Sequence, residues 1–280
     1  MEKAIKRYLP IFVLPTLAAF IIGFIAPFIM GVGLSFCEFT TVKDAKFVGI
    51  SNYVKAFQDT IFRHSIWYTA LFAIVSLIVI NVCAFALALA LTRKMRGTNI
   101  FRTIFFMPNL IGGIVLGYIW QLIFNGILAK YSTALALNQW LGFWGLIILV
   151  SWQQIGYMMI IYISGIQNIP GELIEAAKID GATPKQILKN VTIPMVMPSI
   201  TICTFLTLTN SFKLFDQNLA LTDGAPSKMS EMLALNIYNT FYGRSGWEGV
   251  GQAKAVIFFM MVAVIALLQN YLTRSKEVQQ

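Results

Sequence analysis

Charge is scarce in this chain: Asp, Glu, Lys and Arg make up only 12% of its 280 residues, and there is a single histidine, His64. A sequence so poor in charge, with a hydrophobic share of 58% and a mean hydropathy of +0.72, carries more apolar surface than a soluble domain could bury. Lipid is therefore its expected solvent. Cysteine is nearly absent too. Cys37, Cys83 and Cys203 lie far apart in or beside apolar stretches, with no Cys-x-x-Cys and no histidine partner, and read as small buried hydrophobes. One histidine and three scattered cysteines leave neither a metal cluster nor a nucleophile–base pair on which to build an enzyme. There is no Gly-x-x-x-x-Gly-Lys-Ser/Thr, nor any Gly-Lys pair, so this chain has no loop of that type to cradle the phosphates of ATP.

What is present is hydrophobic and long. Six stretches can supply the roughly twenty apolar residues that cross a bilayer, over about 9–36, 65–92, 104–124, 141–166, 195–215 and 251–272. The expected fold is all-α, a polytopic integral membrane protein organised as one domain over 1–280. The basic start, with Lys3, Lys6 and Arg7, precedes a stretch too long for a cleaved leader, so it reads as the first membrane helix. The excess of basic over acidic residues, 21 against 12, gives a net charge of +9. It falls in short clusters beside apolar runs, as topology signals do, and no nucleic-acid partner is expected. The densest cluster is Arg93, Lys94, Arg96 and Arg102. With both termini cytoplasmic this cluster lies inside, and that orientation is the expectation.

Three outer connections follow, 38–64, 125–140 and 216–250. The last opens with Asp223-Gly224 and Ala225-Pro226, pairs that favour turns. Beyond it Met229, Met232, Leu233, Asn236, Ile237, Thr240 and Phe241 recur at helical spacing, which predicts a short amphipathic helix at the outer surface. The glycine-rich stretch 243–251 reads as a flexible joint before the sixth span. Gly113-x-x-x-Gly117 in the third span permits close helix contact.

The most informative segment is 169–194, polar and cytoplasmic in this topology. Pro170 can open a helix, Glu172 and Glu175 suit its positive N-terminal end, and Gly181 after Asp180 can supply a left-handed stop. Thr183 as N-cap with Pro184 at the first helical position then starts a second helix. Leu173, Ala176 and Ala177 share one face of the first helix, flanked by Glu172 and Glu175, where small residues would admit another surface closely.

Glu175-Ala176-Ala177, followed by Asp180-Gly181-Ala182 and ending in Ile193-Pro194, resembles the EAA motif of permease subunits in binding-protein-dependent ABC importers. The likeness spans 169–198 in spacing and residue type. The six-span layout, Phe212-Lys213 and the run 221–226 resemble the disaccharide and oligosaccharide, maltose-type, branch of that family. Leu188 and Ile193 are mild departures from its pattern. The resemblance implies that 169–194 holds a coupling helix between the fourth and fifth spans, seated in a cleft of an ATPase subunit. Glu172, Glu175, Ala176, Ala177, Asp180, Gly181 and Ala182 would form it. It further implies a second permease subunit in a pseudo-symmetric heterodimer, two ATPase subunits and an extracytoplasmic sugar-binding protein. ATP and Mg would sit on the ATPase partner, with no cofactor on this chain, and the location would be a bacterial inner membrane.

Polar groups at membrane depth are costly and tend to face the bundle interior, where they mark a pathway or bind helices together. The candidates are Tyr118, Gln121, Gln153, Gln154, Tyr157, Asn210, Lys213, Asp216 and Gln217, with Thr207 and Ser211 beside them. Aromatic rings and amides are the mix a neutral carbohydrate calls for. Two alternatives stay open at this point. One is a permease of the same architecture for a non-sugar solute. The other is a secondary transporter working without ATP, against which stands the lack of any Asp or Glu in the centre of a span.

Overall fold

The computed structural model describes residues 13–93 and 97–274. Residues 9–12 of the expected first span, the N-terminal Lys3, Lys6 and Arg7, and Lys94 and Arg96 of the basic cluster lie outside the described residues. The fold is all-α apart from a two-stranded antiparallel ribbon, as expected of a polytopic membrane protein. Among the described residues five helices are long and apolar enough to cross a membrane, or six when one bent pair counts as a single span.

In chain order these elements are α1 (Val13–Leu34), β1 (Cys37–Glu38), β2 (Lys46–Phe47), α2 (Ser51–Gln58), α3 (Thr60–Leu91), α4 (Thr98–Phe106) and α5 (Gly113–Leu128). There follow α6 (Gln139–Gln167), α7 (Gly171–Ile179), α8 (Pro184–Met195), α9 (Met197–Phe212), α10 (Asp216–Leu221), α11 (Leu233–Gly243) and α12 (Glu248–Arg274). The described residues form two compact units, one of 13–60 and 237–260, the other of 61–93, 97–236 and 261–274.

In the first unit the ribbon pairs Cys37 with Phe47 and Glu38 with Lys46. Asp44 closes the turn between the strands, accepting from the backbone N–H groups of Thr40 and Thr41 at 3.1 and 2.9 Å. Those bonds, that of Thr41 foremost, hold its carboxyl below the usual carboxylate pKa. Asn52, fully enclosed on α2, donates to the carbonyls of Ser35 and Cys37 and so pins the end of α1. The charged centre of this unit is Asp59. Lys254 Nζ donates to its Oδ2 at 2.8 Å, and Arg244 Nη1 to the same oxygen at 3.2 Å. Thr240 Oγ1 accepts a further bond from Lys254.

In the second unit α6 is the hub. Its buried positions pack against a stripe on α3 in which Ser76, Ile80, Ala84 and Ala88 recur every four residues, one ridge of a helix surface. Phe143 meets Tyr68 and Phe72 edge-on, and Phe85 meets Tyr162. At membrane depth Tyr162 Oη donates to Asn81 Oδ1 at 2.8 Å, while Asn81 Nδ2 donates to Leu77 O and Thr207 Oγ1. Thr207 and Ser211 each donate back within α9, to the carbonyls of Cys203 and Thr207, and Thr207, by accepting from Asn81, also ties α9 to α3.

Several expectations need correction. The stretch 104–124 is not one helix: α4 ends at Phe106, Met107–Leu110 form a 3-10 turn around Pro108, and the spanning helix starts only at Gly113. Pro108 lacks the N–H that a continuing helix needs, and Ile111 is extended. The stretch 195–215 is likewise interrupted. α8 and α9 meet at a bend of 69°, because a proline at 198 in an unbroken helix would press on the carbonyl of residue 194. The stretch expected as the third outer connection opens with a short helix, α10, at Asp216. The joint 243–251 is mostly helical, since α11 ends at Gly243 and α12 starts at Glu248. The helix expected at an outer surface exists as α11, but Met232, Leu233, Asn236 and Thr240 are buried. Of the cysteines only Cys203 is buried, and Cys83 is exposed on α3.

Candidate functional site

Two groups of expected site residues can be traced. The first is the turn between α7 and α8. Pro170 stands before the first helical residue in an extended conformation, which its fixed φ favours, and Glu172 occupies the first turn. At the other end Gly181 adopts φ +78°, its N–H donates to Lys178 O at 3.1 Å, and that of Ala182 donates to Ala177 O at 2.9 Å. This pair of bonds is a Schellman closure, and it consumes carbonyls that the helix end leaves free. The backbone N–H of Thr183 then donates to Gln186 Oε1 at 2.7 Å as α8 begins. The expected two short helices with a tight turn between them are thus present.

The exposed face differs in one respect from the sequence reading. Ile174 turns inward against the core, and Ala177, three residues on, is half-buried beside it. Glu172, Leu173, Glu175, Ala176 and Asp180 are exposed, and so is Ile179, a large apolar side chain at 86% exposure. The outward stripe is therefore Leu173, Ala176 and Ile179, not Leu173, Ala176 and Ala177. Ala182 is half-buried.

The second group surrounds the junction of α9 and α10. Gln154, Asn210, Lys213, Asp216 and Gln217 line one cavity of about 270 Å³ together with Leu214 and Phe215. The break between α9 and α10 leaves Lys213 exposed and brings Gln217 back toward α6, where its Nε2 donates to Gln153 Oε1 at 2.7 Å. Gln153 spends its own Nε2 on Ile111 O, in the interruption before α5. Gln154 Oε1 is buried and has no hydrogen-bond partner among the described residues, so an acceptor on the cavity wall is unmet. Carboxamides both donate and accept, so these walls can bond neutral hydroxyl groups from either side, with one cation and one anion at the rim.

The remaining expected pathway residues are not part of this cavity. Gln121 donates to Leu221 O at 3.1 Å and so fastens α10 to α5. Tyr118 is exposed on α5, and Tyr157 lies beside the Phe106 ring. Gly113 and Gly117 make the close packing of α5 and α10 feasible: a Cβ on Gly117 would stand 2.5 Å from the Cβ of Ala220, and one on Gly113 2.8 Å from that of Asp216. The Gly-x-x-x-Gly spacing thus serves a contact within the chain. Sequence reasoning missed Asn218, whose buried amide bonds Thr222, Ser230 and Met232 and fixes the course of 222–232. Its signal was weak, a lone Asn among turn formers.

Comparison with known proteins adds a family. Residues 85–278 match the family described as binding-protein-dependent transport system inner membrane component. A probable starch degradation products transport system permease protein of Thermoanaerobacterium thermosulfurigenes is 46% identical over 277 residues, covering 96% of this chain and 94% of the relative. A multiple sugar-binding transport system permease protein of Streptococcus mutans is 31% identical over 289 residues, covering 99% of each. Among solved structures, a bacterial ABC transporter involved in the import of the acidic polysaccharide alginate superposes with a TM-score of 0.83 at 21% identity over 98% of both chains. A second, of the bacterial alginate transporter with alginate pentasaccharide-bound periplasmic protein, gives 0.82 at 22% identity, covering 98% of this chain and 97% of that one. The fold is common to these permeases, and the chain belongs to the family of inner membrane components of binding-protein-dependent transport systems.

Proposed function

We propose that this chain is the membrane-spanning permease subunit of an ATP-driven importer for an oligosaccharide. It supplies half of the translocation pathway and receives the motion of an ATPase subunit through the turn 169–194. The observation that carries this reading is the face of α7: Leu173, Ala176 and Ile179 stand exposed with Glu172 and Glu175 along one edge, on a helix closed by Gly181. An apolar stripe edged by carboxylates suits a cleft with apolar walls and a basic rim. Glu175 would face that basic group, while Asp180, Gly181 and Ala182 hold the turn.

The sugar reading draws on the relatives named for starch degradation products and for multiple sugars, and on the amide-lined cavity. Gln154, Asn210 and Gln217 would bond hydroxyl groups, with Lys213 and Asp216 at the rim and Gln153 holding Gln217 in place. Tyr118, Gln121 and Tyr157 take supporting places on α5 and α6. The complete transporter would contain a second permease subunit, two ATPase subunits carrying ATP and Mg, and an extracytoplasmic sugar-binding protein. Both termini, and with them 169–194, would be cytoplasmic.

The test is reconstitution of this chain with its ATPase and binding-protein partners in vesicles, followed by uptake of labelled malto-oligosaccharide. Wild type should accumulate sugar only with ATP. A Gly181→Pro variant should insert and assemble but not accumulate it. Full uptake by that variant, or uptake by the chain with no ATPase present, would overturn the reading.

A further inference from the structure

We infer that the groove between α3, α4 and α6 is a binding site for one anionic phospholipid, with its acyl chain in the groove and its phosphate on Arg102. The groove is a cavity of about 370 Å³ whose walls include Leu87, Phe105, Met107, Pro108 and Trp152. Its floor exists because Gly156 lets the α4 backbone lie against α6: a Cβ there would overlap the carbonyl of Phe105. A slot walled almost wholly by apolar side chains accepts a hydrocarbon chain and offers little to a sugar or a metal ion.

Charge at one end selects the headgroup. Arg102 Nη2 donates to Leu91 O at 3.4 Å, which sets the guanidinium at the C-terminal end of α3. Leu91 is one turn, about 6 Å, beyond the wall residue Leu87. On α4, Arg102 precedes the wall residue Phe105 by three positions, so the two share a face. The cation thus stands about one turn beyond the wall residues Leu87 and Phe105, the offset between a lipid's phosphate and the start of its chains. Arg102 Nε is shielded from water and has no hydrogen-bond partner among the described residues, an unmet donor on a fork that suits phosphate. Exposed Arg93 lies two residues beyond Leu91. Two cations at one end of the slot attract anionic headgroups over zwitterionic ones.

The assembled transporter, purified in detergent and stripped of lipid, is titrated with phosphatidylglycerol and separately with phosphatidylcholine of identical chains. Native mass spectrometry counts bound lipid. Phosphatidylglycerol should bind more tightly than phosphatidylcholine to wild type. Arg102→Gln should weaken it about ten-fold with phosphatidylcholine unchanged, the weight of a charge-assisted contact. Met107→Trp, which fills the slot and keeps the charge, should lower binding of both. Equal affinity of wild type for the two lipids, or undiminished phosphatidylglycerol binding by Arg102→Gln, overturns the inference. So does efficient cross-linking of a Met107→Cys variant to another subunit, since the slot would then be covered by protein. If Arg102→Gln fails to assemble, Arg102→Lys keeps the charge without the fork and should show an intermediate loss. Wild-type affinity in that variant also overturns the site.

Discussion

Lys254 Nζ and Asp59 Oδ2 stand 2.8 Å apart, and the lysine side chain has no exposure to water at all. Its counter-ion and Thr240 both bond a charge that would be costly to enclose unpaired.

Removing the anion should therefore be costly. Asp59→Asn leaves the enclosed Lys254 without its anionic counter-ion, and a loss of about 3–5 kcal/mol is expected. Arg244, partly exposed and 5.1 Å from the Trp247 ring, can turn to solvent and gives little help. The double variant Asp59→Leu with Lys254→Met should recover much of the loss, because a packed apolar pair has no charge to strand. Thermal melting of the purified transporter reads both. An unchanged melting temperature in Asp59→Asn would refute the role given to this pair.

At Gly181 the backbone is left-handed while the space around the Cα is open, so any penalty of substitution is conformational. Gly181→Ala should cost about 1–2 kcal/mol and Gly181→Asn less, since asparagine tolerates that region. Sugar-dependent ATP hydrolysis in proteoliposomes should fall in the order Gly, Asn, Ala. Equal rates for all three would separate the turn from coupling.

Gln154 offers an unusual signature. Its Oε1 is enclosed without a partner, an arrangement that costs the protein stability. Gln154→Met should melt no lower than wild type while its apparent affinity for sugar in uptake falls about five-fold, the weight of one neutral hydrogen bond. A lower melting temperature with unaltered uptake would assign Gln154 to packing alone.

The contact of Gly117 with Ala220 can be set against Gly126, where a Cβ would meet nothing. Gly117→Ala should destabilise by about 1–3 kcal/mol through overpacking. Gly126→Ala, within the same helix, should be neutral or stabilising by up to about 1 kcal/mol. Parallel melting curves distinguish the two, and equal effects would mean that α10 moves freely off α5.

Local signals in this sequence were the legible ones. Gly181, Thr183 and Pro184 announce the turn between α7 and α8, because a left-handed stop and a helix start each depend on a few neighbouring residues. Apolar length likewise locates α3, α6 and α12. Pro108 and Pro198 were visible too, yet hydropathy runs straight through them, so the breaks at α4 and α9 were read as continuous spans. The bond between Tyr162 and Asn81, the enclosure of Lys254 and the inward turn of Ile174 depend on partners distant in sequence. No window of residues carries that information. In the cavity, five of the nine expected pathway side chains converge because the chain breaks at 213–215, a feature with no strong local signature.

The bend at Val196 has a mechanical corollary. α8 has twelve residues and is about 18 Å long, attached to α9 at a corner instead of in line with it. A rod set at 69° to its neighbour converts a pull along its own length into a sideways swing of the other arm. Tilting α8 by about 10° displaces its far tip, where Thr183 sits, by about 3 Å. A stroke near Gly181 no longer than the gap between two hydrogen-bonded atoms thus corresponds to a tilt of α8 of about 10° about its corner with α9.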